Sequence, residues 1–148
     1  MKKRILIIGS EDQKKLELMR LLENNRECRS IQSIQYGCET ISVPSSYLRS
    51  SGMKKHIIAI QQNAYCVLML LDSSRNYKIY SPNFAHSFRI PTIGVIIKSS
   101  EQSVDNTLEC RKELKEAGVH DIVEWQEGVF DGDIQILNKI VQIKEGNR

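Results

Sequence analysis

Three short, unbroken runs of apolar residues constrain the fold of this chain more than any other feature. The first is RILIIG at residues 4–9, and the others lie at 65–71 and 93–97. A strand that faces water on one side alternates apolar and polar residues, whereas a strand covered on both faces does not. We therefore expect three buried strands in a mainly parallel sheet, with 4–9 as the central one.

Helical and weaker strand patterns lie between and after these runs, as the crossovers of a parallel sheet require. We predict helices over 11–25, 46–62, 104–117 and 132–143, and further strands over 30–35, 39–43 and 120–125. The last helix is expected to place one apolar face on the core, formed by Ile134, Leu137, Ile140 and Val141. The order predicts one three-layer αβα domain over residues 1–148, with a mainly parallel sheet.

Composition excludes several classes of protein. Lysine and arginine number 21 against 18 acidic residues, and a net charge of +3 is too small to predict nucleic-acid binding. The four cysteines form no C-x-x-C pair, and no apolar run reaches the length of a membrane span. We therefore expect a cytoplasmic protein with reduced thiols, no metal site, and neither a nucleic acid nor a membrane as partner.

Several segments of the chain are similar to one known family. The clearest are VLMLLD at 67–72, SPNFAHSF at 81–88 and PTIGVIIK at 91–98, followed by KEAGV at 115–119. The segment 41–47, ISVPSSY, stands where family members have I-D-T-P-G-E-Y. The chain resembles the EutP/PduV family, which is associated with ethanolamine- and propanediol-utilisation microcompartments. The resemblance implies a Ras-like P-loop GTPase fold.

The phosphate-binding motif of that family, G-x-x-x-x-G-K-[ST], corresponds here to GSEDQKKL at residues 9–16. Gly9 and Lys15 match, but a lysine stands at the second glycine, and Leu16 replaces the hydroxyl that binds Mg²⁺. The acidic pair at 11–12 adds negative charge where the phosphates would lie, at a cost of about 4 kcal/mol for each close contact. Phosphate binding is therefore expected to be strongly disfavoured.

The other nucleotide motifs are altered as well. The D-x-x-G motif, which holds Mg²⁺ indirectly and contacts the γ-phosphate, is replaced by SVPS at 42–45. The guanine-specific [NT]-K-x-D is IKSS at 97–100, so that Lys98 remains while the carboxylate is lost. The base-contacting turn near 127–128 does not match either. The missing groups are those that hold metal or recognise the base.

These losses favour a pseudo-GTPase of ethanolamine or propanediol utilisation, which acts as a non-catalytic binding or assembly module. The resemblance leaves Gly9, Lys15 and Lys98 as remnant nucleotide-site positions, at which weak nucleotide or phosphate binding is conceivable. No catalytic residue and no cofactor are expected. The expected partner is a microcompartment shell or pathway protein, and self-association is a further expectation.

Two alternatives stay open at this stage. One is a nucleotide-dependent phosphoryl-transfer enzyme, GTPase, ATPase or acetate kinase-like, with a remodelled site of Lys14, Lys15, Glu11 and Asp72. The other is a receiver-like signalling domain, suggested by Asp72 at the end of a buried strand and by acidic residues after the first strand. In receivers, Mg²⁺ supports phosphorylation of such an aspartate.

Two features between the second and third buried runs have structural interpretations. Asp72 is interpreted as a residue that caps the turn after its strand, as aspartate commonly does. The aromatic residues of the irregular segment 77–88 are interpreted as anchors that fix it to the core rather than as a partner surface. They are Tyr77, Tyr80, Phe84 and Phe88.

Overall fold

The computed structural model describes residues 3–24, 29–31, 34–74, 77–98, 105–126 and 128–146. The strands are β1 (Arg4–Ile8), β2 (Arg29–Ile31), β3 (Ile34–Tyr36), β4 (Thr40–Ser42), β5 (Ala64–Asp72), β6 (Thr92–Lys98) and β7 (Asp121–Gln126). The α-helices are α1 (Asp12–Leu22), α2 (Ser46–Arg49), α3 (Ser51–Ile60), α4 (Thr107–Ala117) and α5 (Phe130–Gly146). Short 3₁₀ helices lie at Gln61–Asn63 and Phe84–Ser87.

The described strands form one sheet in the order β2-β3-β4-β1-β5-β6-β7. β1 pairs in parallel with β4 and β5, and the parallel pairing continues through β6 to β7. Only β2 and β3, at the opposite edge, run antiparallel to their neighbours. The prediction that the first apolar run is a central strand of a mainly parallel sheet is confirmed.

Helices cover both faces of the sheet, because successive side chains of a buried strand point in opposite directions. Leu6 and Ile8 belong to the core that includes residues of α3 and α4, whereas Ile5 and Ile7 belong to the core beneath α1 and α5. All four are at most 3% exposed. The α/β class and the three-layer arrangement of a P-loop GTPase-like fold are therefore confirmed.

Two predicted elements are divided in the structure. The strand predicted over 30–35, which includes residues 32–33 outside the described ranges, corresponds to β2 and β3, with Ile31 paired to Ile34. The helix predicted over 46–62 is interrupted at Ser50, whose backbone is extended at φ −108° and ψ 120°. Serine favours this conformation before a helix, so Ser50 ends α2 and starts α3 in a new direction.

The apolar face predicted for the last helix is wrong in part. Ile136 and Ile140 pack in the core, as the buried side of α5. Ile134, Leu137 and Val141 are instead 53%, 40% and 50% exposed, respectively. The helix has apolar residues on two sides, and spacing alone did not distinguish the side that meets the sheet.

Candidate functional site

The loop between β1 and α1 is short, because α1 already begins at Asp12. Only Gly9, Ser10 and Glu11 separate strand from helix. The backbone N–H of Lys15 donates to the carbonyl of Glu11 at 3.1 Å, as the first turn of an α-helix requires. A phosphate-binding loop needs such N–H groups directed toward its ligand, and this one is used by the helix.

The Lys15 side chain is buried, with 2% of its surface exposed. Side chains in a first helical turn lean toward the amino end of the helix, which brings the ammonium to the ends of β1 and β4. There Nζ donates to the carbonyl oxygens of Gly9 at 2.8 Å and Val43 at 2.6 Å, and it lies 2.8 Å from Asp12 Oδ1. Three acceptors match the three protons of an ammonium group.

The Asp12 carboxylate joins the start of α1 to the start of α2. Its Oδ1 accepts the backbone N–H of Ser45 at 2.9 Å, and its Oδ2 accepts the Ser45 hydroxyl at 2.9 Å. Oδ1 also faces the Lys15 ammonium. We refer to these groups as the Asp12–Lys15–Ser45 cluster. A carboxylate that receives a cation and two donors has the surroundings of a bound oxyanion.

The electrostatics of this cluster favour the Asp12 anion. Burial raises the pKa of the Asp12 carboxyl. The hydrogen bond and charge of Lys15 and the two Ser45 donors lower this pKa by more than burial raises it, so it lies below 3.8. Burial lowers the pKa of the Lys15 ammonium, and Asp12 opposes this effect without cancelling it. The buried ammonium thus depends on Asp12 for its compensation.

Gly9 has a packing role at this end of the sheet. A Cβ atom on Gly9 would lie 2.9 Å from the Cβ of Leu70, closer than real carbon contacts. Beside this contact, the buried Tyr80 hydroxyl donates to the carbonyl of Leu70 at 2.9 Å and lies 3.4 Å from that of Ile8. Glycine is therefore required here by strand packing, whether or not a phosphate binds.

Lys98 lies at the end of β6 in a network of charges. Its Nζ is 3.3 Å from Glu124 Oε1 and 3.8 Å from Asp105 Oδ2. Arg111 Nη2 contacts the other Glu124 oxygen at 2.8 Å. The hydrogen bond from Arg111, helped by Lys98 and opposed by burial, lowers the pKa of the Glu124 carboxyl. Positions 99–100 of the altered guanine motif lie outside the described residues.

Comparison with protein families decides which family this is. Residues 1–142 match the PduV-EutP family, described as ethanolamine utilisation and propanediol utilisation. The chain belongs to the PduV-EutP family. The resemblance noted in the sequence is thereby confirmed over nearly the whole length. A search of curated proteins finds no significant match.

The positions of the Asp12–Lys15–Ser45 cluster can be compared with the nucleotide motifs of the PduV-EutP family. By the resemblance described above, Ser45 stands at the glycine of the D-x-x-G motif, which implies a place beside the γ-phosphate. Its N–H is donated to the Asp12 carboxylate instead. Lys15, which the resemblance identifies with the phosphate-binding lysine, is paired with the same carboxylate. Asp12 therefore contacts the two residues that the resemblance assigns to a terminal phosphate.

A magnesium nucleotide does not fit the residues present at this end of the PduV-EutP sheet. Leu16 offers no hydroxyl for Mg²⁺, and Ser42 replaces the aspartate that would hold the ion's water shell. The Asp12 carboxylate would lie against the phosphates. Among the described residues, no group of three or more His, Cys, Asp and Glu side chains could hold a metal ion.

The residues of the two alternative functions make other contacts in this PduV-EutP chain. Asp72 Oδ1 accepts the backbone N–H and the hydroxyl of Ser74, which confirms that it caps the turn. Lys14 lies 3.8 Å from Glu17 on the next turn of α1.

The described ranges contain no helix with both the length and the apolar character needed to cross a bilayer.

The anchoring interpretation of the aromatic segment is confirmed for three of its four residues. Tyr80, Phe84 and Phe88 are 4–8% exposed, whereas Tyr77 is 49% exposed. The Tyr80 ring stacks on Phe84, and Phe84 packs edge to face against Phe88. Sequence reasoning missed the residue that holds this segment, Glu113 of α4. Its buried carboxylate accepts the N–H groups of Ile79 and Tyr80, each at 3.0 Å.

Sequence reasoning also missed the attractive role of Asp12, which was considered as a repulsive charge and as part of a receiver-like acidic pair. A signal was available, since an aspartate three residues before a lysine on a helix forms a favourable pair. The Ser45 contact had no such signal, because 33 residues separate it from Asp12.

Proposed function

We propose that this PduV-EutP protein is a non-catalytic binding or assembly module of ethanolamine or propanediol utilisation. The observation that supports it is the Asp12 carboxylate, which accepts hydrogen bonds from Ser45 and pairs with Lys15 where the family motifs direct a γ-phosphate. The Asp12 side chain thus occupies the place of the phosphate in the nucleotide site. The partner is a microcompartment shell or pathway protein, and association with the microcompartment follows from that partner.

A nucleotide would have to displace this internal ligand before it could bind. Displacement leaves the Asp12 carboxylate within a few ångströms of the incoming phosphates, and each like-charge contact costs about 4 kcal/mol. Because Leu16 offers no hydroxyl to Mg²⁺, the protein would not help to hold the metal that neutralises those phosphates. Both effects act against binding, so the fold is retained without the chemistry.

Calorimetric titration of the full chain with GTP, GDP and ATP, each with Mg²⁺, tests the proposal. We expect no saturable heat at nucleotide concentrations up to about 1 mM, which corresponds to binding weaker than about −4 kcal/mol. Micromolar affinity accompanied by turnover would show that the protein is an enzyme. Phosphoryl transfer from ATP to acetate, abolished in Lys15→Ala, would instead establish the kinase-like alternative.

A matched variant tests whether the Asp12 carboxylate blocks a phosphate site that still exists, or whether no phosphate site remains. Asp12→Ala removes the internal anion and leaves the Lys15 ammonium and the Ser45 N–H without it. We expect inorganic pyrophosphate to bind Asp12→Ala with a dissociation constant near the millimolar range and the wild type not measurably. Glu17→Ala serves as the control for loss of one acidic residue on α1. Equal pyrophosphate binding by wild type and Asp12→Ala would contradict the role given to Asp12.

A further inference from the structure

The amino end of the sheet, opposite the Asp12–Lys15–Ser45 cluster, contains an open cleft of about 520 Å³. Lys3 precedes β1, Lys55 lies on α3, and Arg89 precedes β6, and all three side chains line this cleft. Half-buried Ile58 and Ile90 form part of its floor. None of the described residues that line it is acidic. We call this feature the basic cleft.

The charges of the basic cleft are not neutralised within the described part of the chain. Lys3, Lys55 and Arg89 form no ion pair there, whereas Lys98 and Lys139 each pair with a carboxylate. Three positive charges around an apolar floor produce a positive local potential. A ligand that carries negative charge next to an apolar group is complementary to this surface.

The walls of the basic cleft are fixed in place by one buried amide. Gln61 follows α3, and its Nε2 donates to the carbonyl of Ser87 at 3.2 Å while its Oε1 accepts the N–H of Arg89 at 2.7 Å. The amide thereby ties the end of α3 to the segment that leads into β6. A preformed cleft loses less conformational entropy when a ligand binds.

We propose that the basic cleft docks an acidic peptide segment of a partner protein. Carboxylates of that segment pair with Lys55, Arg89 and Lys3, and an apolar side chain packs on Ile58 and Ile90. A nucleic acid is disfavoured because phosphate backbones are bound by longer rows of cations, without an apolar floor. This inference rests on the proposed role as a binding module, but it uses the opposite end of the sheet.

Fluorescence anisotropy with a defined probe tests the inference. The probe is a labelled twelve-residue peptide with three repeats of two glutamates followed by two leucines. The control peptide has glutamine in place of every glutamate. We expect the full chain to bind the acidic probe at low salt, and to bind it several-fold more weakly at 0.3 M salt because exposed charges are screened. The glutamine peptide is expected to bind at least tenfold more weakly than the acidic one.

Three charge reversals locate the binding surface. Lys55→Glu and Arg89→Glu are each expected to weaken binding of the acidic probe about tenfold, because each replaces an attraction with a repulsion. Lys112→Glu, at an exposed position of α4 outside the cleft, makes the same charge change and is expected to change affinity less than twofold. Circular dichroism checks that all three variants fold.

Several results would overturn the inference. They are absence of probe binding to the wild type, equal weakening by Lys112→Glu, equal binding of the glutamine peptide, and tighter binding of duplex DNA or anionic vesicles than of the acidic probe. Failure of the proposed function is a separate outcome. Micromolar nucleotide affinity would reject the pseudo-GTPase while probe binding at the basic cleft persisted.

Discussion

At the scale of single residues, Lys15 combines features of two kinds of lysine. The resemblance assigns its position to the phosphate-binding lysine of the family motif. Its surroundings are those of a structural group, since two carbonyls and the Asp12 carboxylate surround a side chain that is 2% exposed. A buried charge with such partners is costly to remove.

Replacement of Lys15 by methionine therefore tests a structural role. Methionine is nearly as long as lysine, but it removes the ammonium that donates to the carbonyls of Gly9 and Val43 and pairs with Asp12. We expect Lys15→Met to lower the free energy of unfolding by about 2–4 kcal/mol, measured by urea denaturation. Lys14→Met, whose ion pair with Glu17 is partly exposed, should change it by less than about 1 kcal/mol. Unchanged stability in Lys15→Met would show that the contacts contribute little.

At the scale of elements, the segment between β5 and β6 is fixed from two sides. Glu113 of α4 accepts the N–H groups of Ile79 and Tyr80, and the rings of Phe84 and Phe88 pack edge to face. An irregular segment has no strand or helix partners for its backbone, so a buried carboxylate replaces them. The segment thereby closes over one face of the sheet.

Loss of the Glu113 carboxylate is expected to destabilise this segment. In Glu113→Ala two backbone N–H groups lose a charged acceptor, and we expect the free energy of unfolding to fall by about 2–4 kcal/mol. Glu113→Gln retains an acceptor oxygen and should fall by roughly half as much. Glu116→Ala, one turn away, removes only an exposed pair with Lys78 and should be nearly neutral. Thermal unfolding of the three variants measures the difference.

The sequence predicts those elements whose pattern has a single physical cause. Runs such as 65–71 are apolar because both faces of the strand are covered, so β5 and its neighbours were identified correctly. On α5 apolar residues serve two sides, and the sequence does not say which side meets the sheet. The Asp12–Ser45 bond joins residues distant in the chain, and only the parallel pairing of β1 with β4 brings them together.

At the scale of the whole molecule, carboxylates at separate places in the fold make contacts that favour their ionised forms. The pKa of Asp12 is lowered in the cluster at the end of β1, and those of Glu124 and Asp105 are lowered near Lys98. The Asp105 side chain is exposed, and the main cause of its lowered pKa is the hydrogen bond from Thr107. The folded protein therefore binds fewer protons than the unfolded chain in mildly acidic solution.

Acidification should consequently destabilise the protein. A lowered folded-state pKa contributes stability above the ordinary values of 3.8 and 4.5, and this contribution is lost as pH falls through the lowered values. We expect the urea midpoint to be steady near pH 6 and to fall between about pH 4.5 and pH 3. Asp12→Asn should show a shallower fall than the wild type, with Asp131→Asn as a control. Identical acid profiles for Asp12→Asn and wild type would contradict the charge pairing.

The bond between Asp12 and Ser45 has a consequence for timing. In a working GTPase, hydrolysis and nucleotide exchange set how long the switch segments stay ordered, so the bound nucleotide acts as a clock. A carboxylate on the same chain is neither hydrolysed nor exchanged. Under the proposed function, the contact that holds the start of α2 is not timed by a bound nucleotide. Neither hydrolysis nor nucleotide exchange would then switch the protein between two states.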